Sequence, residues 1–177
     1  MTMQIEPTTI NDLPAVNRLY ATTWLATYPS PAHGISQADI EHRVKEMRSP
    51  ERLARMRERF VDLVKDPARL FRVARVAGRV VGVLNAIEHE SAVELKSLYV
   101  LPESQGQGVG SALMEAFVGW ANPEKPCLVN VVTYNTTAIR FYEHWGFEDT
   151  GKRFTEERFI MPSGNALPEM EMRRELR

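Results

Sequence analysis

Between Val93 and Trp120 the apolar pattern changes period across a cluster of glycines. Val93 to Leu101 is a run of β-branched, aromatic and aliphatic residues ending at Pro102, which cannot donate to a sheet ladder, so a strand with a hard stop is expected. From there Val109, Ala112, Leu113, Ala116, Phe117 and Trp120 recur at the spacing of one helix face, which predicts a helix starting close to Gly108. The connection, Gln105-Gly106-Gln107-Gly108-Val109-Gly110-Ser111, places three glycines in five residues. Glycine accepts positive φ and has no Cβ to hold a ligand away, so successive backbone N–H groups can converge on an anion where the helix N-terminus is also positive. A phosphate cradle follows; the plainer alternative is a packing turn rich in glycine.

Other phosphate loops are excluded by their own requirements. A Walker loop ends in Gly-Lys-Ser/Thr, whereas this one ends in Val109-Gly110-Ser111. The dinucleotide fingerprint G-x-G-x-x-G follows the first strand of a βαβ unit, whereas this loop reads G-x-G-x-G and lies past mid-chain. The pattern Q/R-x-x-G-x-G/A is met from Gln105 to Gly110, and with LKSLYVLPE before it the stretch resembles the acetyl-CoA-binding motif of the GNAT N-acetyltransferase family.

The flanking chain reads as support for that unit. Met3 to Thr8 is a strand candidate, and Thr9 caps a helix carrying Leu13, Val16, Leu19, Tyr20 and Trp24. The segment Tyr28-Pro29-Ser30-Pro31 breaks the pattern, after which Ser36 and Ser49-Pro50 start two further helices, the second ending near Asp66-Pro67. Leu70 to Ala77 and Arg79 to Ile87 form a hairpin about Ala77-Gly78, and a short turn makes the 93–101 strand a third antiparallel member. Gly82 marks a bulge or a close approach by another backbone. Cys127 to Thr133, reached by a helical crossover, should lie parallel to 93–101 in the right-handed sense. Phe147 onward reads as two more strand segments around the Pro162-Ser163-Gly164-Asn165 turn, with Phe159-Ile160 in a strand.

From Asn135 a capped short helix carries Ala138, Phe141, Tyr142 and Trp145 on one side and stops at Gly146. It resembles the second signature of the same family, N-x-x-A-x-x-F-Y-x-x-x-G-F, at Asn135, Ala138, Phe141, Tyr142, Gly146 and Phe147. The resemblance implies an α/β fold with a mixed, mainly antiparallel sheet flanked by helices, and a splayed parallel strand pair at the cofactor site. It implies transfer of acetyl from acetyl-CoA to a primary amine by direct attack. Backbone groups of Leu98 and Val100 would bond the pantetheine arm, with an N–H near Leu98 facing the developing oxyanion. Gly106, Gly108, Val109, Gly110 and Ser111 would hold the pyrophosphate, with Gln105 orienting the turn. Tyr142 would protonate the departing sulfur, its alternative being core packing. Glu94 would act as base or be exposed and paired with Lys96; Asn135 would bind cofactor or only cap its helix.

At 177 residues the chain fits one domain over 1–177. A net charge of -1 argues against nucleic acid as a partner, and the basic excess over 41–79 reads as a solvated helix surface. A single cysteine, Cys127, and the scattered His33, His42, His89 and His144 offer no metal-ligand spacing. No apolar run of 18 residues occurs and MTMQIEPTTI lacks the pattern of a signal peptide, so a cytoplasmic protein without a membrane partner is expected. The acceptor is expected to be a small-molecule or peptide amine, with Trp24 and Tyr28 either lining its site or in the core; a homodimer is left open. The alternatives are a catalytically silent acyl-CoA-binding regulator and a module binding ATP through the same loop.

Overall fold

The computed structural model describes residues 2–175, so the ends of the expected 1–177 domain lie outside the described residues. The chain runs β1 (Met3–Pro7), α1 (Leu13–Thr27), α2 (Gln37–Met47), α3 (Pro50–Leu63), β2 (Arg69–Val76), β3 (Arg79–Glu88), β4 (Val93–Val100), α4 (Val109–Trp120), β5 (Cys127–Val132), α5 (Thr136–His144), β6 (Glu148–Phe154) and β7 (Glu169–Arg174). The strands form one sheet in the order β1-β2-β3-β4-β5-β7-β6. Among the described residues only β4 and β5 are parallel neighbours, as expected of two strands joined through a helix; the other pairs are antiparallel.

Local chemistry sets most of these boundaries. Ser36 and Asp39 form a reciprocal capping box, Oγ accepting from Asp39 N at 3.1 Å and the carboxylate accepting from Ser36 N at 3.0 Å. The Asn135 side chain accepts from Ala138 N at 3.2 Å and starts α5. Thr9 caps a single 3₁₀ turn, Ile10–Asp12, and α1 begins only at Leu13. The β2–β3 hairpin turns on Ala77 (φ 49°) and Gly78 (φ 76°), two left-handed residues matching the strand twist.

Helix α4 packs one sheet face, where Leu113, Met114 and Phe117 meet Leu84, Ala86, Leu95 and Val129. Helix α1 packs the other, where Val16 and Leu19 meet Val73 and Val83. Gly82, expected to mark a bulge or a close approach by another backbone, is required by a close approach and has a bulge as its neighbour. A Cβ there would stand 2.9 Å from Leu113 Cδ1 and Val109 Cγ1, so side chains of α4 rather than another backbone make the close approach. The β2–β3 register also shifts beside it, between Ala74 and Arg75.

Residues 155–168 differ from the expected strand. Glu157–Phe159 is a 3₁₀ turn, and Ile160 makes only an isolated bridge to Ala166. The segment is held by α2 and the turn before it instead of by a sheet edge. Asp39 Oδ1 accepts from Ser163 N at 3.1 Å, Asn165 Nδ2 donates to Gly34 O at 2.8 Å, and Met161 and Leu167 are buried with Ile35 and Ile40. Pro162 and Pro168 remove two ladder donors and Gly164 adopts φ 85°, so the backbone could not continue as a strand here.

Candidate active site

The parallel pairing of β4 with β5 covers only Val93–Leu95 against Cys127–Val129. At Lys96 the β3–β4 register slips by one residue, Asn85 facing Ser97 while Ala86 faces Leu95. Such a bulge bends the strand that carries it, and past it β4 and β5 no longer pair. Leu101 N donates to Val81 O at 2.9 Å, which makes Val100 opposite Gly82 and Leu98 opposite Leu84 non-hydrogen-bonded pairs. The main-chain N–H and C=O of Leu98 and Val100 therefore point away from β3, into the gap. Gln105 spans its mouth, its side-chain amide donating to Val100 O at 3.2 Å.

The glycine turn caps the gap. Gly106 (φ 71°) and Gly108 (φ 82°) are left-handed, and a Cβ at either would meet nothing within 4 Å. Gln105 N is engaged by Pro102 O, and the first i→i−4 bond of α4 runs from Ala112 N to Gly108 O. Among the described residues the N–H groups of 106–108 have no partner, and those of Val109, Gly110 and Ser111 precede the first helical bond. Six successive amides are thus left for a ligand at a helix N-terminus. The Val109 side chain is buried in the core, so only its main chain can serve this role. At Gly110 a Cβ would lie 3.4 Å from the Phe141 ring, the close approach of α4 to α5.

A cavity of about 760 Å³ extends from Gly106, Gly108, Gly110 and Ser111 through the gap to Trp24, Tyr28, Tyr99 and Phe159 on the α1 side. Its wall is braced by tyrosines. The Tyr28 and Tyr99 hydroxyls lie 2.8 Å apart, Tyr134 donates to Tyr28 O at 2.7 Å, and Tyr20 meets Ser97 at 2.8 Å. Trp24 packs edge-on against Tyr28 at 4.8 Å between ring centroids, so the two aromatics expected in either core or pocket take part in both.

Tyr142 is 6 % exposed and lines the cavity from α5. Its hydroxyl has no hydrogen-bond partner among the described residues, and burial pushes the phenol well above its ordinary value, which keeps it protonated at neutral pH. Asn135 caps α5 and also lines the cavity. Glu94 lies in the paired arrangement: Lys96 donates to it at 2.7 Å and His89 sits 3.1 Å away. Burial opposes its charge, but Lys96 and then His89 more than offset this and hold the carboxyl below the usual range.

Glu169 was not singled out by the sequence. It lies opposite Val132 of β5 and Phe154 of β6, is 5 % exposed, lines the cavity, and has one carboxyl oxygen, Oε2, buried without a partner. Burial and then repulsion from Glu156 push it up to about 7, against the pull of Arg158 and Lys96. In EMEMRR its alternation with Met170 and Met172 gives no local signal that separates it from Glu171.

Residues 67–149, which contain the gap, the glycine turn and Tyr142, match the family model of the acetyltransferase (GNAT) domain. This segment belongs to the GNAT family. A stretch of 98 residues is 37% identical to an uncharacterised N-acetyltransferase of Mycobacterium bovis, covering 54% of this chain and 63% of that protein. Counterparts in two strains of Mycobacterium tuberculosis match to the same extent, so the chain spans less than two thirds of the curated relatives it matches. The GNAT fold extends beyond the matched segment. The PaiA N-acetyltransferase of Thermoplasma acidophilum, solved in complex with coenzyme A, superposes with a TM-score of 0.73 at 22% identity over 99% of both chains. YncA of Salmonella typhimurium, solved with its cofactor acetyl-CoA, gives 0.67 at 22% identity over 100% of this chain and 95% of that one. No group of three or more His, Cys, Asp or Glu among the described residues is placed to hold a metal, and no described helix is long and apolar enough to cross a membrane.

Proposed function

We propose that this chain is a single N-acetyltransferase domain that moves the acetyl group of acetyl-CoA to a primary amine by direct attack. The observation that carries this is the run of unengaged amides from 106 to 111 at the mouth of a gap whose β4 edge is free. The residues present fit coenzyme A. The amides of 106–111 would hold the pyrophosphate, and the main-chain groups of Leu98 and Val100, of which Val100 O already accepts from Gln105, would bond the pantetheine as an added strand. The cavity leads from there to Tyr142. The curated relatives are named N-acetyltransferases, and two proteins of the same fold were solved with coenzyme A or acetyl-CoA.

Acetyl-CoA supplies an activated thioester carbonyl. The Leu98 N–H would stabilise charge on its oxygen, a contact worth most where water is excluded. Tyr142 would give its proton to the sulfur as the carbon–sulfur bond breaks. Tyr142 lines the cavity with its hydroxyl bonded to no protein group among the described residues and protonated at neutral pH, which favours the enzyme over a silent acyl-CoA-binding regulator.

Thiol release from acetyl-CoA over a panel of primary amines tests this. Wild-type turnover is expected, with Tyr142→Phe lowering kcat about 10²–10⁴-fold at unchanged affinity for coenzyme A. Binding of coenzyme A with no turnover on any amine would favour the regulator.

A further inference from the structure

The carboxyl of Glu169 has no task in the scheme above, yet it is buried at the wall of the reaction cavity with Oε2 lacking any donor. An acceptor oxygen left bare inside a protein is costly unless a ligand supplies the donor. The charged groups around it are otherwise engaged. On β4, Lys96 is bonded to Glu94 at 2.7 Å and Tyr99 to Tyr28 at 2.8 Å. From the 155–159 segment, Arg158 pairs with Glu156 and lies over the Phe159 ring at 4.6 Å. At the end of α1, Tyr28 is spent on Tyr99 and Tyr134. Lys96 and Arg158 each have their own partner, and the Glu169 carboxyl, with Oε2 enclosed, lines the cavity without a hydrogen bond among the described residues, so it is left for a cation that enters there.

Resting on the acetyltransferase reading, we propose that Glu169 is the catalytic base: its carboxylate receives the acceptor's ammonium and takes one of its protons. The freed nitrogen lone pair forms the bond to the thioester carbon. As the carbon–sulfur bond breaks, Tyr142 gives its proton to the sulfur, and the second proton leaving nitrogen restores the phenol. One proton remains on Glu169 and passes to solvent, which balances ammonium and thioester against amide, thiol and one proton. The upward shift of Glu169 to about 7 suits this work, because a base is most effective when it titrates near the operating pH. Glu94, held below the usual carboxylate range by Lys96 and His89, is the weaker base.

The test uses the full chain, acetyl-CoA and three amines: n-butylamine, 1,4-diaminobutane and 2-phenylethylamine. Wild-type turnover decides the acetyltransferase reading; the variants decide Glu169. Glu169→Gln is expected to lose about 10²–10⁴-fold in kcat/KM and the acidic limb of the pH profile near 7, with wild-type affinity for coenzyme A. Glu169→Asp should keep a limb and regain part of the rate, and decides the matter alone if the glutamine variant does not fold. A glutamine variant within about threefold of wild type, or an aspartate variant without a limb, overturns the proposal. Should no amine turn over, amine binding is measured by calorimetry at about pH 6.5 in two buffers of different ionisation enthalpy. Wild type should expel a proton that Glu169→Gln does not, and equal release from both overturns the assignment.

Discussion

The hydroxyls of Tyr28, at the end of α1, and Tyr99, on β4, lie 2.8 Å apart and tie the first helix to the strand that borders the gap. Burial raises the pKa of both phenols, so the pair shares one neutral hydrogen bond across the physiological range.

Changing either tyrosine to phenylalanine should therefore cost about 1 kcal/mol of stability, and the double variant less than the sum because the two share one bond. Both line the side of the cavity away from the glycine turn, so the amine KM should rise several-fold while the Kd of coenzyme A stays constant. Equilibrium unfolding of the four proteins of the cycle, with amine and coenzyme A titrations, reads both expectations. Equal loss of amine and coenzyme A binding would show that the pair supports the whole gap.

Glu169 gives a pH dependence that needs no substrate. Its pKa rises from 4.5 to about 7 on folding, so the folded state holds the proton more tightly than the unfolded chain. That stabilisation is complete below about pH 4.5 and is lost as the pH rises through about 7. Glu169→Gln lacks this loss and should gain on wild type by about 1–3 kcal/mol between pH 5 and pH 8, read as a few degrees of Tm. A constant difference between the two melting curves would mean that the carboxyl is not buried in solution.

Asp39 works in the opposite sense. Hydrogen bonds from Ser36, then Ser163, hold its carboxyl down at about 2 against the effect of burial. Its contribution is present above about pH 3.8 and is lost as the pH falls through about 2. Asp39→Ala removes the carboxylate half of the capping box, leaving the Ser36 cap itself, and the tether to Ser163, and should cost about 1–2 kcal/mol near neutral pH, with the 155–168 segment becoming more open to proteolysis. Unfolding curves and limited proteolysis check the two effects separately.

The elements around the site were legible because each is specified locally. The change of period at Gly108, the caps at Ser36 and Asn135, and the Ala77-Gly78 turn act within a few residues of the structure they set. The Lys96 bulge, which parts β4 from β5, is a matter of register against β3 and carries no composition of its own. Residues 155–168 are shaped by Asp39, more than a hundred positions earlier, and so read as an ordinary strand. Glu169 escaped for a related reason. The charges that act on it, Glu156 and Arg158 of that irregular segment and Lys96 of β4, come from other stretches of chain, and its neighbours in sequence, Met170 and Glu171, show none of this. Glu94, by contrast, was visible as a carboxylate on the central strand, and its pairing with Lys96 was one of the two arrangements expected.

Titration of coenzyme A into the wild type and into Gly108→Leu by calorimetry, beside thermal melts, bears most directly on the amide cradle. A Cβ at Gly108 meets nothing within 4 Å but the residue must adopt φ 82°, so the substitution should cost only about 1–3 kcal/mol of stability while binding weakens at least tenfold. A saturable 1:1 heat with wild type, largely lost in a still-folded variant, is the predicted result. No heat with wild type, or equal affinity in both proteins, would contradict the account.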